Sequence, residues 1–274
     1  MPRVLVNGVH IYYESHGEGF PLVFAYGLGG NTTEWASQIP AFSKQYRFIV
    51  WDPRGHGQSD SPPNLDQYGS GTSAYDLLEL LNHLEIERAY VGGLSMGGGI
   101  STRFALLHPE RVEALLIIDS ASASGLPTSE ANLRMRNRIV ELALTEGMEA
   151  VADYAIKHNP NISWTAQKGT EAEEGIREMY RALDPVGYAH STRATVYASF
   201  DPDLLKGISV PTLVLAGAED PALEACKLIH SKISESKLVV LPNAGHLSNL
   251  DQPEAFNKAV LEFLGSVDAR RKVG

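Results

Sequence analysis

Hydrophobic positions along this chain change their period in an ordered way. Short, continuously apolar or β-branched runs lie at 22–26, 48–51, 89–91, 114–118, 212–216 and 237–241. Runs of that length suit strands covered on both faces, as in a parallel sheet. Between them the spacing turns helical at 72–84, 97–108, 223–233 and 253–264, the last opening on Pro253, a residue favoured at the first helical position. Near the front, 4–6 and 9–13 flank Asn7-Gly8, the pair preferred in a two-residue hairpin because both central residues need positive φ. Strand and helix therefore alternate behind an antiparallel edge hairpin, which predicts an α/β chain built on a mostly parallel, doubly wound sheet. The alternation breaks once. From about Pro127 to Gly207 no strand pattern appears, while Leu133, Ile139, Leu142 and the stretch 151–156 repeat at helical spacing. The expected organisation is a core formed by 1–126 and 208–274, interrupted by a helical cap at 127–207.

Composition narrows the class. With 43% hydrophobic and 20% charged residues the chain can bury a sizeable core, which excludes a disordered protein. The excess of 33 acidic over 23 basic side chains, net −10, argues against nucleic acid as a partner. Met1-Pro2-Arg3-Val4 leads to polar Asn7 without an apolar run, and nowhere do about eighteen apolar residues follow one another. One cysteine, Cys226, has no partner for a disulfide or for a Cys-based metal site. The expectation is a cytoplasmic protein with no membrane span, no metal and a structural thiol.

The candidate chemistry begins at Gly93-Leu94-Ser95-Met96-Gly97, which fits the G-x-S-x-G turn that lifts a serine between a strand and a helix. The pattern is loose, so its context decides, and a predicted strand precedes it and a predicted helix follows. A serine hydroxyl needs a base, usually histidine, oriented by a carboxylate. Catalytic groups of an open sheet sit beyond the C-terminal ends of its strands. Of nine histidines, His246 follows the run ending at Leu241 and precedes the last helix, whereas His10, His56, His83, His108, His158, His190 and His230 read as structural or solvated. For the acid, Asp220 lies just beyond the run 212–216. Asp119 is a rival because it also ends a strand, and Glu219 would point away if Asp220 faces the histidine. An oxyanion hole needs two backbone N–H donors. Met96, after the serine, supplies one, and Leu28 in Gly27-Leu28-Gly29-Gly30 is the best candidate for the other. That glycine-rich loop lacks G-x-G-x-x-G and a Walker lysine, so a nucleotide cradle is not expected. The turn Asp52-Pro53-Arg54-Gly55-His56-Gly57-Gln58-Ser59-Asp60 reads as structural, with Asp52 and Arg54 forming a buried brace.

With these residues in place the chain resembles the α/β-hydrolase superfamily over nearly its whole length outside the insertion. It is most similar to 3-oxoadipate enol-lactonases and related small-molecule esterases, through Gly93 to Gly98, Gly187-Tyr188-Ala189 and His246-Leu247-Ser248-Asn249-Leu250-Asp251-Gln252-Pro253-Glu254-Ala255-Phe256. The resemblance implies a Ser95, His246, Asp220 triad, an oxyanion hole from Leu28 and Met96, a helical cap and no cofactor. It implies hydrolysis of a small carboxylic ester or lactone through an acyl-enzyme. Serine at the elbow departs from haloalkane dehalogenases and epoxide hydrolases, whose aspartate there forms an alkyl-enzyme ester. Tyr26-Gly27 also departs from the His-Gly or Asn-Ser found in relatives, and Pro221-Ala222-Leu223-Glu224 replaces the usual polar stretch after the acid.

Inside the insertion Trp164, Met135, Met148, Met179, Tyr180 and Phe200 can line a pocket or pack the core. Arg134 and Arg138 share a helical face and offer a guanidinium fork to a carboxylated substrate, or else a solvated surface. Tyr26, Trp164, Arg134 and Arg138 are the candidate substrate contacts. Two other functions remain open: a C–C bond hydrolase of ring-fission diketones, with the same triad, and a small-molecule receptor on a hydrolase scaffold.

Overall fold

The computed structural model describes residues 2–271. Its strands in chain order are β1 (Arg3–Val6), β2 (Val9–His16), β3 (Phe20–Ala25), β4 (Tyr46–Trp51), β5 (Ala89–Leu94), β6 (Val112–Ile118), β7 (Thr212–Gly217) and β8 (Ser236–Leu241). They form one sheet in the spatial order β1-β2-β4-β3-β5-β6-β7-β8. β1 pairs antiparallel with β2 and β2 with β4, and every other neighbour is parallel. The hairpin turns through Asn7 at φ 47° and Gly8 at φ 77°, the two positive angles its sequence requires. The chain leaves β3 for β4 on one side and returns to β5 on the other. The gap between the C-terminal ends of β3 and β5 is therefore a switch point, where open α/β sheets place their ligands.

Each central strand buries both faces. Leu22, Phe24, Phe48, Val50, Leu116 and Ile118 belong to one apolar cluster, and their neighbours Val23, Ile49, Val91, Leu115 and Ile117 belong to the other. The helices are α1 (Ile39–Phe42), α2 (Ser70–His83), α3 (Met96–Leu107), α4 (Glu130–Thr145), α5 (Met148–His158), α6 (Pro160–Ala166), α7 (Thr170–Arg181), α8 (Pro185–Val196), α9 (Leu223–Lys232), α10 (Ser248–Asp251) and α11 (Pro253–Arg271). α11 covers the first face with Phe256, Val260 and Leu264. α2, α3 and α9 cover the second with Leu80, Phe104 and Ile229. Five helices, α4 to α8, lie between β6 and β7, and their Ile139, Val151, Ile176 and Tyr188 join the first cluster. Their starts follow local chemistry: Ser129 accepts from Asn132 N, Asn159 precedes Pro160, and Asp184 precedes Pro185 while accepting from Gly187 N. Among the described residues no helix is long and apolar enough to cross a membrane.

Two expectations change. β5 runs on through Gly92 and Gly93 to Leu94, because a Cβ at Gly92 would meet Phe24 and Leu116, and one at Gly93 would meet the carbonyl of Ala25. The glycines are close-packing residues of a central strand rather than its end. The second correction concerns Arg54, which pairs with Asp76 of α2, not with Asp52. Its Nε and Nη2 each reach a carboxylate oxygen at 2.6 Å, and Nη1 donates to the carbonyl of Gln67. Asp52 instead accepts from the N–H groups of Thr32 and Gln58. Two residues apart on a tight turn, Asp52 and Arg54 point in different directions, and the long guanidinium reaches the next helix. Both members of the pair are almost fully buried. Removing one leaves an uncompensated charge, so Asp76→Ala is expected to lower unfolding free energy by about 3–5 kcal/mol, read from urea denaturation.

Candidate active site

Ser95 sits on the turn between β5 and α3 with φ 54° and ψ −112°, a conformation that costs a non-glycine residue energy. The surroundings impose it. A Cβ at Gly97 would run into the carbonyls of Ala25 and Tyr26, so the elbow presses onto the end of β3. Ser95 N donates to Ile118 O at 2.8 Å, and Ser95 O accepts from the hydroxyls of Ser120 and Ser122 and from Gly99 N. The hydroxyl thereby stands clear of the sheet edge at the N-terminus of α3, where the first N–H groups have no partner within the helix. Met96 N is the first of these.

The loop after β3 closes on the serine from the other side. Gly30 N donates to Gly27 O, and a Cβ at Gly27 would lie 3.0 Å from that of Ser95. Leu28 and Ser95 line the same cavity, so the loop brings Leu28 to the side of Ser95. Tyr26 is buried there, and its hydroxyl donates to Asn249, which also donates to Glu34 O and Gln38. Burial, followed by the nearby Glu34 carboxyl, pushes its phenol well above the usual range.

His246 lies in the loop after β8. Its Nε2 is 2.9 Å from Ser95 Oγ and its Nδ1 is 2.8 Å from Asp220 Oδ1. Asp220 Oδ1 also accepts from Ala222 N. Burial of Asp220 opposes its ionisation, but the His246 imidazole and the Ala222 N–H outweigh that and hold the carboxyl below its usual range. Glu219 is exposed, as expected. The histidine loop is itself supported: Gly245 N donates to Asp251, Lys168 pairs with Asp251 at 2.9 Å, and Lys168 Nζ donates to Asn243 O.

The cavity at Ser95 and His246 measures about 270 Å³, with Leu28, Ser122, Ser129, Asn132, Arg136 and Asn161 among its walls. A narrower extension adds Tyr26 and Met179. Substrate-contact expectations need correction here. Arg134 is exposed against Glu130, and Arg138 pairs with Glu141 and Glu146, so both belong to the solvated face of α4. Arg136, about 200° around the helix, is the one that faces the cavity. Trp164 packs against Gly245, where a Cβ would strike its ring, and does not line the cavity. Met148 and Tyr180 are core residues, and Phe200 packs on Gly125. Asn161, unmarked in the sequence, brings Nδ2 to 3.4 Å from His246 Nε2. Its signal was available only through the N-cap geometry of Asn159-Pro160. Among the described residues no cluster of His, Cys, Asp or Glu could hold a metal ion.

Known proteins share this fold. The family model for the alpha/beta hydrolase fold matches residues 21–145. The chain is similar to 3-oxoadipate enol-lactonase 2 of Acinetobacter baylyi, at 33% identity over 87% of this chain and 86% of that one. Among solved structures it is similar to the enol-lactonase of Burkholderia xenovorans, with TM-score 0.86 and 30% identity over 96% of this chain and 100% of the other. It is also similar to a thermophilic esterase of Thermogutta terrifontis with malate bound, with TM-score 0.86 and 31% identity over 97% and 99%.

Buried groups in the loops behind the site carry a pH dependence. Burial pushes Glu34 up to about 7 and Asp52 up to about 7, against the backbone N–H groups each accepts. In the unfolded chain a glutamate titrates near ~4.3, so between that and about 7 the folded state holds more protons, and stability falls as pH rises. His56, lowered by burial to about 4, works oppositely over the range from about 4 to its unfolded value. A difference against Glu34→Gln isolates one group. The melting temperature of wild type relative to this variant is expected to fall between about pH 4 and about pH 7, as differential scanning calorimetry would record.

Proposed function

The chain belongs to the α/β-hydrolase fold family, and on that premise we propose that it hydrolyses a small carboxylic ester or lactone through a serine acyl-enzyme. The observation that carries this reading is the unbroken chain from Ser95 Oγ to His246 to Asp220, at 2.9 and 2.8 Å. In the proposed reaction His246 Nε2 takes the Ser95 proton as Oγ attacks the carbonyl, and Asp220 orients the imidazole and stabilises its charged form. The N–H groups of Leu28 and Met96 hold the oxyanion. His246 then gives its proton to the leaving oxygen, and on the return step takes one from water, which releases the acid and restores Ser95. The helices of 127–207 serve as the cap over this site.

The substrate class follows from Arg136. Its guanidinium faces the cavity beside Tyr180 and Tyr188, its Nε donates to the neutral Asn132 at 3.4 Å, and among the described residues no carboxylate pairs with it. A partly desolvated, unpaired guanidinium favours an anionic ligand. We therefore read the substrate as an ester or lactone that itself bears a carboxylate, placed so that the carboxylate meets Arg136 while the reacting carbonyl meets Ser95. The similarity to a protein named 3-oxoadipate enol-lactonase supports the same class, since an oxoadipate carries carboxylate groups.

Two measurements test this. Ser95→Ala is expected to lose about 10⁴-fold or more in kcat on such esters with an unchanged melting temperature, and turnover at the wild-type rate would overturn the reading. Arg136→Met is expected to raise KM roughly 10- to 100-fold for the monoester of a dicarboxylic acid while leaving a neutral ester of similar size within about twofold. Equal effects on both would remove Arg136 from recognition. Turnover confined to a ring-fission diketone in the same panel would favour the C–C bond hydrolase.

A further inference from the structure

Asp119 is unused by the reaction just described, yet it is wholly buried under the site. It follows the last residue of β6 directly, in a positive-φ conformation, φ 46°. Gly217 N donates to its Oδ1, while Ser248 N and Ser248 Oγ donate to its Oδ2. β6 and β7 are neighbours in the sheet, so this carboxyl and that of Asp220, just beyond β7, converge closely enough to act on one another. Asp220 has one oxygen to spare. Its Oδ1 takes both His246 and Ala222, whereas its buried Oδ2 meets no donor side chain or N–H among the described residues.

Resting on the reading of Ser95, His246 and Asp220 as the catalytic chain, we propose that Asp119 is its positioning residue, a carboxylic acid that keeps its proton and donates it to the free oxygen of Asp220. Two carboxylates that close in a low-dielectric interior cannot both ionise, so the pair holds one proton. The surroundings decide where it sits. Asp220 faces the imidazole of His246. Asp119 faces, besides Asp220, only neutral groups: Gly217 N–H and Ser248, the Cys226 thiol of α9 and, farther off, the Tyr26 phenol. Among the described residues no cationic side chain pairs with it. Burial, and then the negative charge of Asp220, accordingly push the Asp119 carboxyl well above the ordinary carboxylate range. The proton is shared in place and not transferred during turnover. Its effect is to fix the carboxylate plane of Asp220, so that Oδ1 stays on His246 Nδ1.

The state of Asp119 can be read without turnover. In the infrared spectrum at about pH 9, where exposed carboxyls and even Glu34 and Asp52 are ionised, the resting protein should retain the carbonyl stretch of one protonated carboxylic acid. The band should persist in Ser95→Ala and vanish in Asp119→Asn. Its absence from wild type, or its survival in Asp119→Asn, overturns the proposal whether or not the protein cleaves esters. Kinetics then assign the role. Asp119→Ala leaves Asp220 Oδ2 bare and more basic, so kcat should fall roughly 10- to 100-fold and the acid limb of kcat/KM should move to higher pH. Asp119→Asn, still a donor, should recover most of the rate. An unmoved acid limb in Asp119→Ala, or no rescue by asparagine, would leave Asp119 no positioning role. Loss of all activity in Ser95→Ala bears only on the hydrolase reading.

Discussion

The close approach of the nucleophile turn to the end of β3 is the constraint on which the site depends. Gly93 and Gly97 have no room for a side chain because the carbonyl of Ala25 occupies it, and that contact forces Ser95 into its positive-φ conformation. Such strain costs about 1–3 kcal/mol and persists only where neighbours over-determine it. Here they do: Ile118 holds the Ser95 N–H, and three donors converge on its carbonyl. The same contact sets the spacing between Ser95 and the Leu28 loop, which begins one residue after the strand that the elbow touches. Ser95 and the loop that carries Leu28 are thus registered by one packing event, at the point where the strand order reverses.

Much of this was legible in the chain. Period and turn chemistry place all eight strands and the principal helices, because parallel strands covered on both faces leave continuous apolar runs and the hairpin leaves Asn7-Gly8. The order of Ser95, Asp220 and His246 followed from asking which residue ends which strand. What failed depended on contacts between elements distant in sequence. Arg54 reaches Asp76 across 22 residues, and no local pattern distinguishes that from a brace to Asp52. The candidate acids Asp119 and Asp220 could be ranked as rivals, but their convergence required knowing that β6 and β7 are neighbours despite the insertion between them.

The arginine cluster of α4 shows a subtler failure. Pairing by i, i+4 selects Arg134 and Arg138, yet that rule finds residues that share a face without saying which face. The buried positions Ile139, Val140 and Ala143 define the inner side, and Arg136 stands three and four residues before the first two. The hydrophobic stripe therefore carried the answer, and the charge pattern hid it. An inward arginine also explains how a chain of net charge −10 can present a local positive field to an anion.

The insertion and the histidine loop share one more dependency. Lys168, between α6 and α7, holds both Asp251 and the carbonyl of Asn243, and Trp164 of α6 rests on Gly245, the residue before His246. The helices that wall the cavity are thus bolted to the backbone that carries the imidazole. Displacing α6 would therefore also displace the loop that carries His246, so the placement of that imidazole depends on helices more than seventy residues away in the sequence.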